Sequence, residues 1–414
     1  MASDWRELSV GDIADVVGGG TPSTKQGANF NGEIPWITPR DLAGHRYRRI
    51  LRGERNISEQ GLRNSSARLL PRGSVLLTTR APVGYVAIAG VPVATNQGFR
   101  SLVPRDGFSS EFIYYLLKAN TEYLKNYASG TTFGELAGTT LQSLRFRFPP
   151  LAEQRAIAHI LGTLDDKIEL NRRMNQTLET MAQALFQSWF VDFEPFRDQG
   201  MQDSPLGEIP MGWKHKSVAE AIAVNPSRRL DRGSDAVYVD MSSLPTASAR
   251  VLDIIRRPYS GSGSRFADGD VLLARITPCL ENGKTALVDF LPDGEIGWGS
   301  TEFTILGPKP PVGTFFIYCL ARHQDFRIHA IQAMTGTSGR QRVDTACFEH
   351  YWLPIPQAGI LLEFEQQVNP WFQKMKANDL QCNMLASIRD TLLPKLLSGE
   401  IRVKDADKLL GTAV

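Results

Sequence analysis

The sequence predicts an α+β protein: two similar globular domains separated by two long helices that pair antiparallel, the halves related by an internal pseudo-two-fold repeat. Three observations carry this. Ile157, Leu161, Leu164, Ile168, Asn171, Asn175, Leu178, Ala182, Leu185 and Trp189 alternate at spacings of four and three, the a/d seam of a coiled coil. Val368, Trp371, Met375, Asn378, Cys382, Leu385, Ile388 and Leu392 repeat that spacing in the last quarter. The segment between the two seams repeats, anchor by anchor, the segment before the first.

Residues 1–150 form the first domain. Trp5 to Val10 reads as a strand or short helix leading into the loop Gly18-Gly19-Gly20-Thr21-Pro22-Ser23. Ile34 to Thr38 and Ser74 to Thr79 are strands, the second delivered by the turn Pro71-Arg72-Gly73, with Val83 to Ile88 as its hairpin partner. Helical spacing runs from Ser110 to Tyr127, with Ser109 or Ser110 as N-cap. The polar loop Gly130-Thr131-Thr132 follows, and Leu141 to Phe148 is the last strand.

Residues 151–197 form the central helix. A stripe of large apolar side chains, each contributing about 1.5–3 kcal/mol on burial, needs a partner. The second domain spans residues 198–357. Trp213 answers Trp5, Val218 answers Val10, and Phe266 to Leu273 answers Leu70 to Leu77. Thr301-Glu302-Phe303 answers Gln97-Gly98-Phe99, and Gly336-Thr337-Ser338 answers Gly130-Thr131-Thr132. Residues 358–400 form the partner helix, with Pro370 near its start and Pro394 and Gly399 at its end. Residues 401–414 are a polar tail. Asn171 and Asn378, one in each seam, are placed to fix the register.

The 414 residues carry a net charge of +2, with 42% hydrophobic and 22% charged residues, ordinary for a globular chain. No apolar run approaches a membrane span, and the opening residues lack signal-peptide character. Four scattered cysteines argue against a zinc site or disulfide framework and for a reducing cytoplasm. The near-neutral total hides two arginine clusters. Arg46, Arg48, Arg49, Arg52, Arg55, Arg63, Arg68, Arg72 and Arg80 face only Glu54 and Glu59 in their segment. Arg228, Arg229, Arg232, Arg250, Arg256, Arg257 and Arg265 form the second. The guanidinium fork suits phosphates and guanine edges, so the paired clusters point to nucleic acid.

Catalytic patterns are near-misses. Gly283-Lys284-Thr285 lacks the upstream glycine of a P-loop, where Pro278 stands, and Gly18-x-Gly20 meets Ser23 where a dinucleotide fingerprint needs its third glycine. Asn225-Pro226-Ser227-Arg228 lacks the second proline and the aromatic of an adenine methyltransferase motif. Six histidines show no metal-ligand spacing. The chain reads as a binding device without cofactor or metal. A solitary methyltransferase or nuclease lacks its motifs, and a purely structural coiled-coil adaptor leaves the arginine clusters unexplained.

The strings PPLAEQRAIAHILGTLDDKIELNRRMNQTLETMAQALFQSWFVDFEP and TLLPKLLSGEIRV, with the duplicated architecture, resemble the specificity (S) subunits of type I restriction-modification systems over nearly the whole chain. The resemblance implies two variable target-recognition domains on double-stranded DNA, one for each half of a split target. It also implies helices that space them and dock two methyltransferase subunits, with adenine methylation, translocation and cleavage left to methyltransferase and restriction partners. Thr21 and Ser23, with Thr131 and Thr132, would be on DNA-side loops of the first domain, and Thr337 and Ser338 on their counterpart in the second. Thr78, Arg80, Arg275, Thr277, Arg340 and Arg342 follow strands or flank those loops, and Arg46, Arg48, Arg49, Arg228 and Arg229 would hold phosphates. Ile160, Met174, Met181, Phe186 and Phe190 are expected on outer helix faces, with Met181, Phe186 and Phe190 docking the methyltransferase.

Overall fold

The computed structural model describes residues 4–128, 134–251, 253–337 and 339–403. They form two compact units: Met1–Leu170 with Gln381–Val414, and Asn171–Leu380. The division falls inside both long helices, Leu151–Phe190 and Ala358–Ser398.

The first unit opens with the strand Arg6–Ser9, paired antiparallel with Arg145–Phe148. Ser9 and Asp12 cap each other's backbone, which turns the chain into the short helix Val10–Ile13. A five-stranded sheet follows in the order Ala14–Gly18, Arg100–Pro104, Val75–Thr79, Val83–Ala89, Arg49–Ile50. A second sheet holds Arg55–Ile57, Phe30–Ile37 and Ala94–Thr95. The helix Ser110–Ala119, capped by Ser109, buries Phe112, Ile113, Tyr115 and Leu116 against the first sheet's Val75, Leu77 and Ile88. Ile157, Leu161 and Leu164 of the central helix and Leu392 and Leu396 of the C-terminal helix close that core. The two helical segments run antiparallel here, since Asp165 meets Arg389 and Glu153 meets Arg402.

Two elements differ from expectation. The predicted helix Ser110–Tyr127 breaks at Asn120, whose side-chain amide donates to the Leu116 carbonyl at 2.8 Å. A second helix, Thr121–Asn126, then begins. The predicted strand Leu141–Phe148 is the helix Gly138–Ser143 followed by a shorter strand, Arg145–Phe148.

The second unit repeats the design on a different sequence. Lys214–Ser217 pairs with Trp352–Ile355, and Ser217 with Glu220 forms the same capping box before Val218–Ala221. Its four-stranded sheet runs Ala223–Val224, Phe303–Gly307, Val271–Ala274, Thr285–Leu287. Its second sheet runs Ile255–Pro258, Asp235–Val239, Gly297–Gly299, Ser264–Phe266. A parallel pairing sits at the same place in both second sheets, Trp36 opposite Ala94 and Tyr238 opposite Trp298. The helix Thr314–Arg322 buries Phe316, Ile317 and Tyr318 against Phe186, Phe364 and Val368 of the long helices, again antiparallel.

Most predicted seam positions are buried, among them Ile157, Leu161, Leu164 and Ile168 in the first unit and Ala182, Val368 and Met375 in the second, while Leu178, Leu185, Trp189, Trp371, Leu385 and Ile388 are partly buried against the same cores. Three details correct the sequence reading. Ile160, Phe186 and Phe190 lie inward, at most 5% exposed, because the helices bury a second stripe against each domain as well as their shared seam. Pro370 lies well inside the C-terminal helix, which starts at Ala358. Pro394 does not end it either; Gly399, at φ +75°, does.

Candidate nucleic-acid interface

In the second unit, the end of the strand Val271–Ala274 carries Arg275 to Thr277. The Arg275 amide donates to the Glu302 carbonyl at 3.0 Å, and its carbonyl accepts from Val343 at 2.8 Å. The Thr277 amide donates to the Gln341 carbonyl at 3.0 Å. These bonds draw the hairpin Met334–Thr335/Arg342–Val343 onto the sheet end, which sets Arg342 opposite Ile276, between Arg275 and Thr277, with Arg340 on the adjoining connection. Arg340 and Thr337 are exposed on the hairpin connection. Arg342 grips Glu302 through Nε and Nη2 at 2.7 to 2.9 Å. Hydrogen bonding from that guanidinium holds the Glu302 carboxyl below its ordinary value.

The first unit builds the matching end on the same backbone logic. The Thr79 amide donates to the Gly98 carbonyl at 2.8 Å, and its carbonyl accepts from Leu136 at 3.0 Å. Glu135 lies 3.8 Å from Arg80 and 3.4 Å from Arg100. Thr21 is exposed nearby, its hydroxyl donating to Gln97. Ser23 is exposed on the same loop. The preceding glycines serve packing. A Cβ on Gly19 would lie 2.0 Å from the Asn96 carbonyl, and one on Gly20 would lie 2.3 Å from the Ala67 nitrogen.

Three further sequence candidates leave the surface. Thr78 is buried; it donates to the Pro82 carbonyl at 2.7 Å and accepts from the Tyr85 amide at 2.9 Å, tying its own hairpin. The Arg48 side chain, 10% exposed, donates to the Tyr115 hydroxyl at 3.2 Å and to Asp166 at 2.6 Å. Arg228 is spent on the fully buried Asp270 at 2.7 Å. The buried Asp270 carboxylate needs a counter-charge, and Arg228 supplies it, whereas Arg48 is itself the buried partner of an exposed Asp166. Arg49 pairs with Glu111, whereas Arg46 is exposed and Arg229 is 89% exposed beside Asp231. Thr131, Thr132 and Ser338 lie outside the described residues. Gln97, Arg100, Glu135 and Glu302 join the site through the fold alone, although Gln97 and Glu302 stand at repeat anchors of the sequence.

Among the described residues no cluster of three or more His, Cys, Asp or Glu could hold a metal ion. None of their helices is long and apolar enough to cross a membrane.

A duplicated α+β domain whose sheet ends gather arginine and hydroxyl side chains, each copy seated on antiparallel helical segments, defines a class of two-domain binding subunits. Residues 2–180 match the family model of the type I restriction modification DNA specificity domain. The chain is 36% identical to the type I restriction enzyme MjaIX specificity subunit of Methanocaldococcus jannaschii, over 98% of this chain and 95% of that one. It is 25% identical to the HindI specificity subunit of Haemophilus influenzae, over 96% and 100%. The crystal structure of the type I restriction-modification S subunit from M. genitalium superposes with a TM-score of 0.57 at 16% identity, covering 95% of this chain and 96% of that one, a likeness of fold. The chain belongs to the type I restriction enzyme specificity subunits.

Proposed function

We propose that this chain is the DNA-recognition subunit of a cytoplasmic type I restriction-modification complex and reads a split target on double-stranded DNA, one half-site per domain. It has no catalysis of its own and directs two adenine methyltransferase subunits and the restriction subunits to that target. The observation that carries the reading is the duplication itself: one backbone scaffold, built twice, bears different side chains at the same sheet end. Arg80, Arg100 and Thr21 stand there in the first domain, Arg275, Thr277, Arg340 and Arg342 in the second. Phosphate contacts would position each domain, and the divergent side chains would read base edges. Met181, 42% exposed on the central helix, remains the docking residue among those expected to meet the methyltransferase. The test is adenine methylation mapped across the DNA of cells expressing this chain with its methyltransferase. One split motif is expected, and replacing residues 213–356 should change one half-site only. No motif in the presence of an active methyltransferase would remove the assigned function.

A further inference from the structure

Both sheet ends carry the same electrostatic device with its polarity exchanged. In the second domain the carboxylate lies on the sheet side and the arginine on the hairpin: Glu302 binds Arg342 in a forked pair, with side chains 21% and 45% exposed. In the first domain the arginines lie on the sheet side. Arg80 and Arg100 converge on Glu135, whose amide neighbour Leu136 is pinned to the Thr79 carbonyl. The sequences of the two ends are unlike, yet each places one carboxylate against arginines that the DNA-reading surface presents.

A carboxylate and a phosphate offer a guanidinium the same forked acceptor. An arginine already gripped by a carboxylate must exchange partners before it can hold DNA, and the exchange leaves the released carboxylate facing a polyanion. We propose that Glu302 and Glu135 are specificity-determining residues that act as internal phosphate mimics: they hold Arg342, and Arg80 with Arg100, away from arbitrary DNA until base contacts at the correct half-site offset the exchange. Such a built-in penalty against the wrong partner lowers non-specific binding more than it lowers cognate binding. The inference rests on the DNA-recognition reading above.

The test is equilibrium binding of the full chain to a fluorescent duplex of arbitrary sequence across a salt titration, and to its methylation-mapped target. Glu302→Gln keeps the shape and an acceptor for Arg342 but removes the charge. It should tighten arbitrary-duplex binding about threefold to fivefold, the size of an exposed ion pair. The log–log salt slope should steepen by about 0.9 for the released arginine. The ratio of cognate to arbitrary affinity should fall. Arg342→Gln should do the opposite to arbitrary binding. If the pair only braces the loops, both substitutions weaken binding alike, and that result overturns the proposal, as does an unchanged affinity for Glu302→Gln. Glu135→Gln repeats the measurement in the first domain should the second tolerate no change. A wild-type chain that binds neither duplex sinks the recognition reading and this inference with it; a wild-type chain that binds, with Glu302→Gln inert, sinks this inference alone.

Discussion

The side-chain amide of Asn378 donates to the Asn175 carbonyl oxygen at 2.8 Å inside the second unit's helix pair, and the Asn175 amide donates onward to Asp379 at 2.8 Å. Both asparagines are buried, at 2% and 7% exposure, in a seam that is otherwise mostly apolar. The sequence marks Asn171 and Asn378 as the register-fixing seam asparagines, and Asn378 bonds to Asn175, the next seam position after Asn171. A slipped register would bury these amides against aliphatic side chains, which costs about 1–3 kcal/mol for each stranded group. The pair therefore selects one alignment.

Asn175→Leu alone strands the Asn378 donor and should lower stability by about 1–3 kcal/mol. The double change Asn175→Leu with Asn378→Leu should cost less than either single change. A double-mutant cycle from denaturant midpoints measures the coupling. Additive costs would mean the two amides do not act as a pair.

A second buried network joins the central helix to the second domain. The Tyr318 hydroxyl donates to Glu179 at 2.6 Å and Arg322 approaches the same oxygen at 3.2 Å. Arg322→Met leaves the Glu179 carboxylate buried with a phenol as its remaining partner and should destabilise by about 3–5 kcal/mol. Glu179→Gln keeps an acceptor for Tyr318 and should cost less. Thermal unfolding of the two variants ranks them, and the reverse order would show that Arg322 does not neutralise that charge.

The arginines divide by their partners, and the division predicts two kinds of phenotype. Arg340→Ala removes an exposed cation from the hairpin connection. It should weaken binding to any duplex and reduce the salt slope by about 0.9 while leaving the melting temperature unchanged. Arg228→Ala should instead lower the melting temperature, because it strands buried Asp270. Salt-titrated binding and thermal unfolding on the same samples separate the two.

What the sequence showed of this molecule follows the range of each signal. Heptad spacing is local, so the helices and their seam were legible, and the cap of the helix Ser110–Ala119 narrows to Ser109 or Ser110, of which Ser109 is the one used. The repeat was legible through anchors such as Trp213 and Glu302 because the backbone must meet the same sheet end twice. Orientation on the helices was not legible: Phe186 and Phe190 fall outside the a/d seam, and only the domain folded against them shows that they point inward. Nor could charge density tell Arg48 and Arg228, committed to carboxylates distant in sequence, from Arg340, which is exposed. Long-range pairing decides which arginines face outward, and no periodicity carries it.

Asp270 supplies a pH test of that pairing. Its side chain is fully buried, accepting from the Ala267 amide at 2.7 Å and from Arg228 at 2.7 Å. Burial pushes its carboxyl up to about 6, although the Ala267 amide and Arg228 both pull it down. With the folded value above the ordinary carboxylate value, the native state holds a proton that the unfolded chain has released. Stability from this group is therefore greatest below about pH 4 and is lost as pH rises through about 6. The stability of the wild type relative to Asp270→Asn should improve by up to about 3 kcal/mol as pH falls from 7 to 4. Denaturant midpoints of both proteins across that range give the difference, in which other titrations cancel. A flat difference would mean that Arg228 keeps Asp270 ionised throughout, and the buried pair would then be a fixed strut rather than a titrating one.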